Sequence, residues 1–177
     1  YALGKAYKAL GDFDKAVRAL EAAGRQTLSQ PSAKERLPAE LSEAYQKAAA
    51  KLFEQRKYQE AIIGFEKSLV INPQTATSHY ALGVCYSRMR NTEAARRAYA
   101  KAIEVDPAYA KAYKALGDLH RQSRNYGPAI EAYQKAIALE ATLMEAWGGL
   151  ARSQIDNENL EGALKTLNQA VAVDPKY

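Results

Sequence analysis

The dipeptide Leu82-Gly83 returns as Leu116-Gly117 one period of 34 residues later, and Asp106-Pro107 returns as Asp174-Pro175 after two periods. A chain that repeats at this length builds its core by stacking like units, so the period constrains the fold before composition does. In register, blocks run 42–75, 76–109, 110–143 and 144–177 without a gap. One column holds Ala61, Ala95, Ala129 and Ala163, and the next holds Phe65, Tyr99, Tyr133 and Leu167. A third holds Ser68, Ala102, Ala136 and Ala170, while Pro73, Pro107 and Pro175 end their blocks and Ala141 stands in the fourth. A partial block, residues 1–30, opens the chain with Leu3-Gly4, Tyr7, Ala16, Leu20 and Ala23.

Within each block, two apolar-periodic segments of about 13 residues are joined by a few polar residues, which suits antiparallel helices. Six prolines, ten glycines and 47% apolar residues favour helix over strand or disorder. The spacing predicts helix pairs near 43–55 with 59–72, 77–89 with 93–106, 111–123 with 127–140, and 145–157 with 161–173. Gly83 and Gly117 fall inside first helices, where glycine costs about 1 kcal/mol relative to alanine. Close helix contact offsets that cost if Tyr99 or Tyr133 packs nearby. Pro128 falls in the first turn of a second helix, where a missing N–H does no harm. Residues 27–41, with Pro31 and Pro38, break the period. The insertion at 31–41 reads as a surface loop or as an extension of the preceding helix, and its join as a place for bending or proteolysis.

The array resembles the tetratricopeptide repeat family, whose unit carries an aromatic, Leu-Gly and Tyr, then a later Ala, Phe or Tyr, Ala and Pro. The resemblance covers the chain apart from residues 31–41. Departures are local: Ala48-Ala49 and Leu150-Ala151 replace Leu-Gly, and His120 and Gln154 stand where Tyr7 and Tyr86 stand in their blocks. The resemblance implies an all-α fold, a right-handed superhelix of tandem hairpins spanning 1–177 as one solenoid domain, with first helices lining a concave groove. It also implies a non-catalytic scaffold that binds a partner peptide or protein segment.

In that family the groove-facing side chains come from the second, fifth, sixth, ninth, twelfth and thirteenth places of each block. Transferred here, they select Tyr1, Lys5 and Lys8, then Gln46, Lys47, Phe53 and Glu54. The third block adds Thr77, Tyr80, Val84, Ser87 and Arg88, the fourth Lys111, Lys114, Asp118, Arg121 and Gln122, and the last Glu145, Arg152, Ile155 and Asp156. The middle of this stripe is basic: Arg88, Lys111, Lys114 and Arg121 are opposed only by Asp118. Such a surface suits an acidic segment, with Tyr80 and Val84 as an apolar anchor. Some family members clamp the terminal carboxylate of chaperone tails. The corresponding places here read Gln46, Ala50, Ala81, Lys111 and Ala115, of which only Lys111 fits, so that clamp is not expected.

Nothing in the sequence composes an active site, a metal site or a cofactor site. His79 and His120 fall in packing columns without partners at metal-ligand spacing, and Trp147 occupies the signature aromatic column. The one cysteine, Cys85, reads as a small buried hydrophobe; it excludes a disulfide framework and fits a reducing compartment without requiring it. Gly148-Gly149 lacks the lysine and strand context of a phosphate loop. Twenty-five basic and twenty acidic side chains are largely interleaved, giving +5 overall, which does not by itself make a nucleic-acid binder. No stretch reaches the roughly 18 apolar residues that a bilayer span needs. The chain opens at Tyr1 without a methionine, so it reads as an excerpt, and the lack of a leader segment weighs little. Self-association is the competing function, because Leu160, Leu164, Leu167, Val171 and Val173 have no capping helix after them in this sequence.

Overall fold

The computed structural model describes residues 1–25 and 31–176, and among them it contains ten α-helices and no strand. The helices are α1 (Ala2–Ala9), α2 (Phe13–Arg25), α3 (Pro31–Glu54), α4 (Tyr58–Ile71) and α5 (Ala76–Arg88), followed by α6 (Thr92–Val105), α7 (Ala110–Gln122), α8 (Tyr126–Leu139), α9 (Met144–Asp156) and α10 (Leu160–Val173). From α4 onward each starts one residue before the position the periodicity predicts. Pro128 lies in the first turn of α8, as its missing N–H requires. The helices gather into two compact units, Tyr1–Asn91 and Thr92–Tyr177.

In the first unit the core gathers Ala16, Leu20 and Ala44, with Tyr1, Tyr7, Val17, Leu37 and Leu41 against them. Gly4 permits the α1–α2 approach: a Cβ on it would stand 2.6 Å from Leu20 Cγ. Between α3 and α4, Ser42 and Ser68 are both buried and their hydroxyls share a 2.9 Å hydrogen bond, so the one block with serine in the small-residue column satisfies it internally.

The segment 31–41 is helical and not a surface loop. It is the start of α3, which Pro31 opens and which carries Pro38 within it. Ala33, Leu37, Leu41 and Ala44 recur every three or four residues along it, and the last three join the α1–α2 core. Pro38 deprives the Lys34 carbonyl of its helical N–H, but both residues are exposed, where water can serve instead. Residues 26–30 lie outside the described residues, so the part of the expected break at 27–30 is not placed.

In the second unit Ala129, Tyr133, Ala136, Ala146 and Leu150 form a buried cluster with Tyr113, Ile130, Ile137 and Leu143 against it. Tyr133 is the wedge. It is wholly buried, and a Cβ on Gly117 of α7 would lie 2.8 Å from its ring. One on Gly149 of α9 would lie 2.4 Å away. One aromatic ring thus occupies the space left by two glycines, within its own hairpin and in the next.

The turns share a device that sequence reading missed. Gly11, Arg56, Arg90, Arg124 and Glu158 occupy one column, and all have positive φ, between 58° and 74°. Each lets the following N–H reach back to a carbonyl inside the helix, as Lys57 N donates to Leu52 O at 2.9 Å and Asn159 N to Gln154 O at 2.8 Å. Only the first block supplies glycine there; the others hold an L side chain in a left-handed conformation that costs about 1–2 kcal/mol. The Asp-Pro pairs have a parallel explanation, since Asp106 Oδ1 accepts from Ala108 N and Asp174 Oδ1 from Lys176 N.

Gly117→Ala will lower stability by about 1–3 kcal/mol, because the methyl must displace a ring that is packed on both sides. Gly127→Ala, where a Cβ meets nothing within 4 Å beyond its chain neighbours, will change it by less than about 1 kcal/mol, because the gain in helix propensity is offset by the strain of a Cβ in helical backbone before Pro128. Urea unfolding of the two variants beside the wild type decides; equal midpoints for Gly117→Ala and the wild type would remove the wedge account.

Candidate functional site

Three helices of the first unit enclose an apolar concavity of about 310 Å³. α3 contributes Ala50, Phe53 and Glu54, α5 contributes Tyr80, Ala81 and Val84, and Phe65 of α4 lies between them. The spacing explains the shape: residues three and four apart share a helix face, and alanines at 50 and 81 leave room between larger neighbours. Phe53 is held by Tyr58, their ring centroids 5.4 Å apart and tilted by 55°. Six of the seven lining residues occupy transferred groove places. Phe65 does not; it belongs to a core column, and only the opening left by the alanines exposes it to the cavity.

The charged candidates of this unit are placed less uniformly. Lys47 is committed to Glu43 on its own helix at 2.7 Å, and its ammonium lies 5.9 Å from the Phe13 ring centroid. Ser87 is half-buried, and Arg88, one turn beyond Val84, is exposed. Lys8 is paired with Glu40 and Glu43 of α3, tying α1 to the helical extension.

In the second unit α7 carries Lys111, Lys114, Asp118, Arg121 and Gln122. Asp118 accepts from the Tyr133 hydroxyl at 2.6 Å and pairs with Lys114 at 2.9 Å. Burial, and then the Asp118 carboxylate, raise the Tyr133 phenol well above its ordinary pKa. The one acidic residue of the expected basic stripe is therefore a structural partner of the wedge, and it offsets Lys114. Lys111 and Gln122 on α7 and Arg152 on α9 are exposed, while Arg121 is half-buried and its Nε is enclosed without a hydrogen bond. Arg88 belongs to one compact unit and Lys111, Lys114 and Arg121 to the other.

His79, Cys85 and Trp147 are each occupied with structure. His79 Nε2 donates to the Pro73 carbonyl at 2.9 Å. Cys85 is fully buried, and burial pushes its thiol up to about 11, away from the thiolate form a nucleophile needs. Trp147 is buried and its indole N–H donates to Ala141 O at 2.8 Å. Among the described residues no three His, Cys, Asp or Glu side chains cluster as metal ligands would, and no helix is long and apolar enough to cross a membrane.

The Lys8 cluster sets a pH window for α1. Hydrogen bonds from Lys47 and then Lys8 hold the Glu43 carboxyl below its usual 4.5, so its contribution is present above that value and lost as pH falls through the lowered pKa. Desolvation opposes the Lys8 charge, yet its bonds to Glu40 and Glu43 raise its pKa above 10.5, so that contribution is lost only in more alkaline solution. The difference in melting temperature between wild type and Glu43→Gln will be flat from about pH 5 to 9 and will shrink in more acidic buffer. A difference that persists undiminished in acid would dissociate Glu43 from the α1 contact.

The tetratricopeptide repeat pattern matches residues 1–23, 80–142 and 120–177, together more than half of the chain. No curated protein matches it. Among solved structures, a crystal structure of MamA is 24% identical with a TM-score of 0.76, the alignment covering 98% of this chain and 95% of that one. YrrB, described as a TPR protein with an unusual peptide-binding site, is 17% identical with a TM-score of 0.72, covering 98% and 84%. The first TPR of Spaghetti (RPAP3), bound to an HSP90 peptide, is 23% identical with a TM-score of 0.62, covering 64% and 90%. Repeat register, paired helices and fold agree, and the chain belongs to the tetratricopeptide repeat family as an all-α tandem array of helical hairpins.

Proposed function

We propose that the chain is a non-catalytic scaffold that holds a segment of a partner protein and seats one of its apolar side chains in the α3–α4–α5 pocket. The observation that carries this reading is the pocket itself: about 310 Å³, lined by Phe53, Phe65, Tyr80 and Val84, at the small end of ligand-sized cavities. Ala50 and Ala81, which stand at two of the places a chaperone-tail clamp would use, here widen an apolar cavity. An apolar anchor then replaces a clamped terminal carboxylate. The descriptions of YrrB and of the RPAP3 repeat as peptide-binding structures lend support at the level of the fold.

The preference for acidic segments rests on each unit taken by itself: in the first, Arg88, one turn beyond Val84, with Lys47 and Ser87 as further contacts, and in the second, Lys111 and Arg121, with Lys114 partly offset by Asp118, and Gln122 and Arg152 as further contacts. Arg88, Lys111 and Arg121 have no carboxylate partner among the described residues. Selection from a random peptide display library tests both parts. Wild type will enrich peptides that carry a large apolar residue and Asp or Glu, Tyr80→Ala/Val84→Asp will lose the apolar preference, and charge reversal at 88, 111, 114 and 121 will lose only the acidic one. Identical peptides from wild type and the pocket variant would remove the scaffold site, and identical peptides from the charge-reversed protein would remove the acidic preference.

One observation favours a second reading, self-association. Leu160, Leu164, Leu167, Val171 and Val173 of α10 are all exposed, Leu160 by 67% and Leu164 by 62%. On this reading the wild type will sediment as a concentration-dependent dimer and Leu164→Lys/Leu167→Lys as a monomer. A wild type that stays monomeric at high concentration rules it out.

A further inference from the structure

We propose that a second pocket, in the unit formed by α6 to α10, binds an apolar chain that ends in a carboxylate. The pocket has a volume of about 410 Å³, within the range of small-ligand sites. Its walls are Ile137 of α8 and Gly162 and Thr166 of α10, and its floor is Trp147, Leu150 and Gln154 of α9.

Two departures from the repeat columns open this space. Gln154 stands where Tyr86 stands in its block, so an aromatic ring is replaced by a carboxamide. Gly162 stands where Ala94 and Pro128 stand, because the Asn159 cap, whose Oδ1 accepts from Gly162 N at 2.9 Å, occupies the space of a Cβ. The α10 wall therefore carries no side chain at that position.

The polar groups define the ligand. Gln154 is only 7% exposed, and its Oε1 accepts from Thr166 Oγ1 at 2.8 Å. The nitrogen end of the same amide carries no hydrogen bond among the described residues and is left to donate to an acceptor that enters the pocket. The indole N–H of Trp147 is committed to Ala141 O, so the tryptophan offers the pocket its ring and not a donor. Lys165 lines the pocket, is exposed and has no ion-pair partner among the described residues, and it is the one charged side chain in the lining. The remaining polar lining, Gln134 and Gln169, is neutral. An acceptor oxygen is thus met by the Gln154 amide, a negative charge by Lys165, and an apolar body by Trp147, Leu150 and Ile137. Carboxylate at one end and hydrocarbon at the other satisfies all three. A free carboxylic acid and the C-terminal residue of a peptide both have this chemistry.

Trp147 is the only tryptophan, so its emission reports the pocket directly when excited at the red edge, clear of the twelve tyrosines. N-acetyl-L-leucine will change that emission saturably, and N-acetyl-L-leucinamide will bind about tenfold more weakly. Lys165→Met, at an exposed position, will reduce acid binding to the level of the amide. Ala138→Phe, which places a ring in the mouth, will abolish the response to both, with helicity by circular dichroism showing that each variant is folded. Hexanoate matching N-acetyl-L-leucine will identify a free-acid site, and a tripeptide ending in leucine that binds more tightly than either will identify a chain-end site. No saturable change with any of these probes, equal affinity for acid and amide, or a Lys165→Met protein indistinguishable from wild type would each overturn the proposal. Because the readout lies in the second unit, its failure leaves the α3–α4–α5 reading untouched.

Discussion

Two hairpins of this chain, α1–α2 and α7–α8, depend on a large side chain from the second helix fitting against a glycine of the first. Leu20 occupies the space over Gly4, and Tyr133 occupies that over Gly117 and, in the following block, Gly149. A methyl at any of these glycines would fall within 3 Å of the packed side chain, so the interhelical distance and the residue identity determine each other. Backbone entropy lost to glycine is recovered through contact and burial. The Tyr133 hydroxyl adds a directional element, because Asp118 must stand where it can accept from it.

Side-chain size also decides where concave surface appears. In the first unit, alanines at 50 and 81 keep side chains out of the space between α3 and α5, and the core ring of Phe65 becomes a wall. In the second, Gln154 and Gly162 do the same between α8 and α10 over α9. Each concavity includes a column position at which this chain departs from the other blocks, Ala50 where they hold Lys5, Val84, Asp118 and Arg152, and Gln154 where they hold Tyr7, Leu52, Tyr86 and His120. Charge is distributed by the same economy of contacts: Lys8, Lys47 and Lys114 are held by Glu40, Glu43 and Asp118, which leaves Arg88, Lys111 and Arg152 exposed.

Much of this was legible in the columns. Ala95, Ala129 and Ala163 are buried as their recurrence demands, and the helix bounds fall within one residue of those the period predicts from α4 onward. The left-handed turn position was not legible, because arginine and glutamate stand there in four blocks and carry no local signal for positive φ. Nor was α3. Pro31 and Pro38 read as breaks, while the competing signal, apolar residues at 33, 37, 41 and 44, has meaning only once the α1–α2 core is there to receive them. The pockets were half legible: groove places identified Tyr80 and Val84, but Phe65 was indistinguishable from an ordinary core residue.

The sequence by itself determined the repeat length, the helical hairpin and the family, because each of these is set by residue type at short, regular spacing. Tertiary structure alone decided which charges are spent on internal pairs, how far α3 extends, and which small-residue columns become cavities. These depend on distances between segments far apart in the chain. Asp118 illustrates the division: its place on α7 follows from the period, whereas its partnership with Tyr133 and Lys114 exists only because α7 and α8 close on each other.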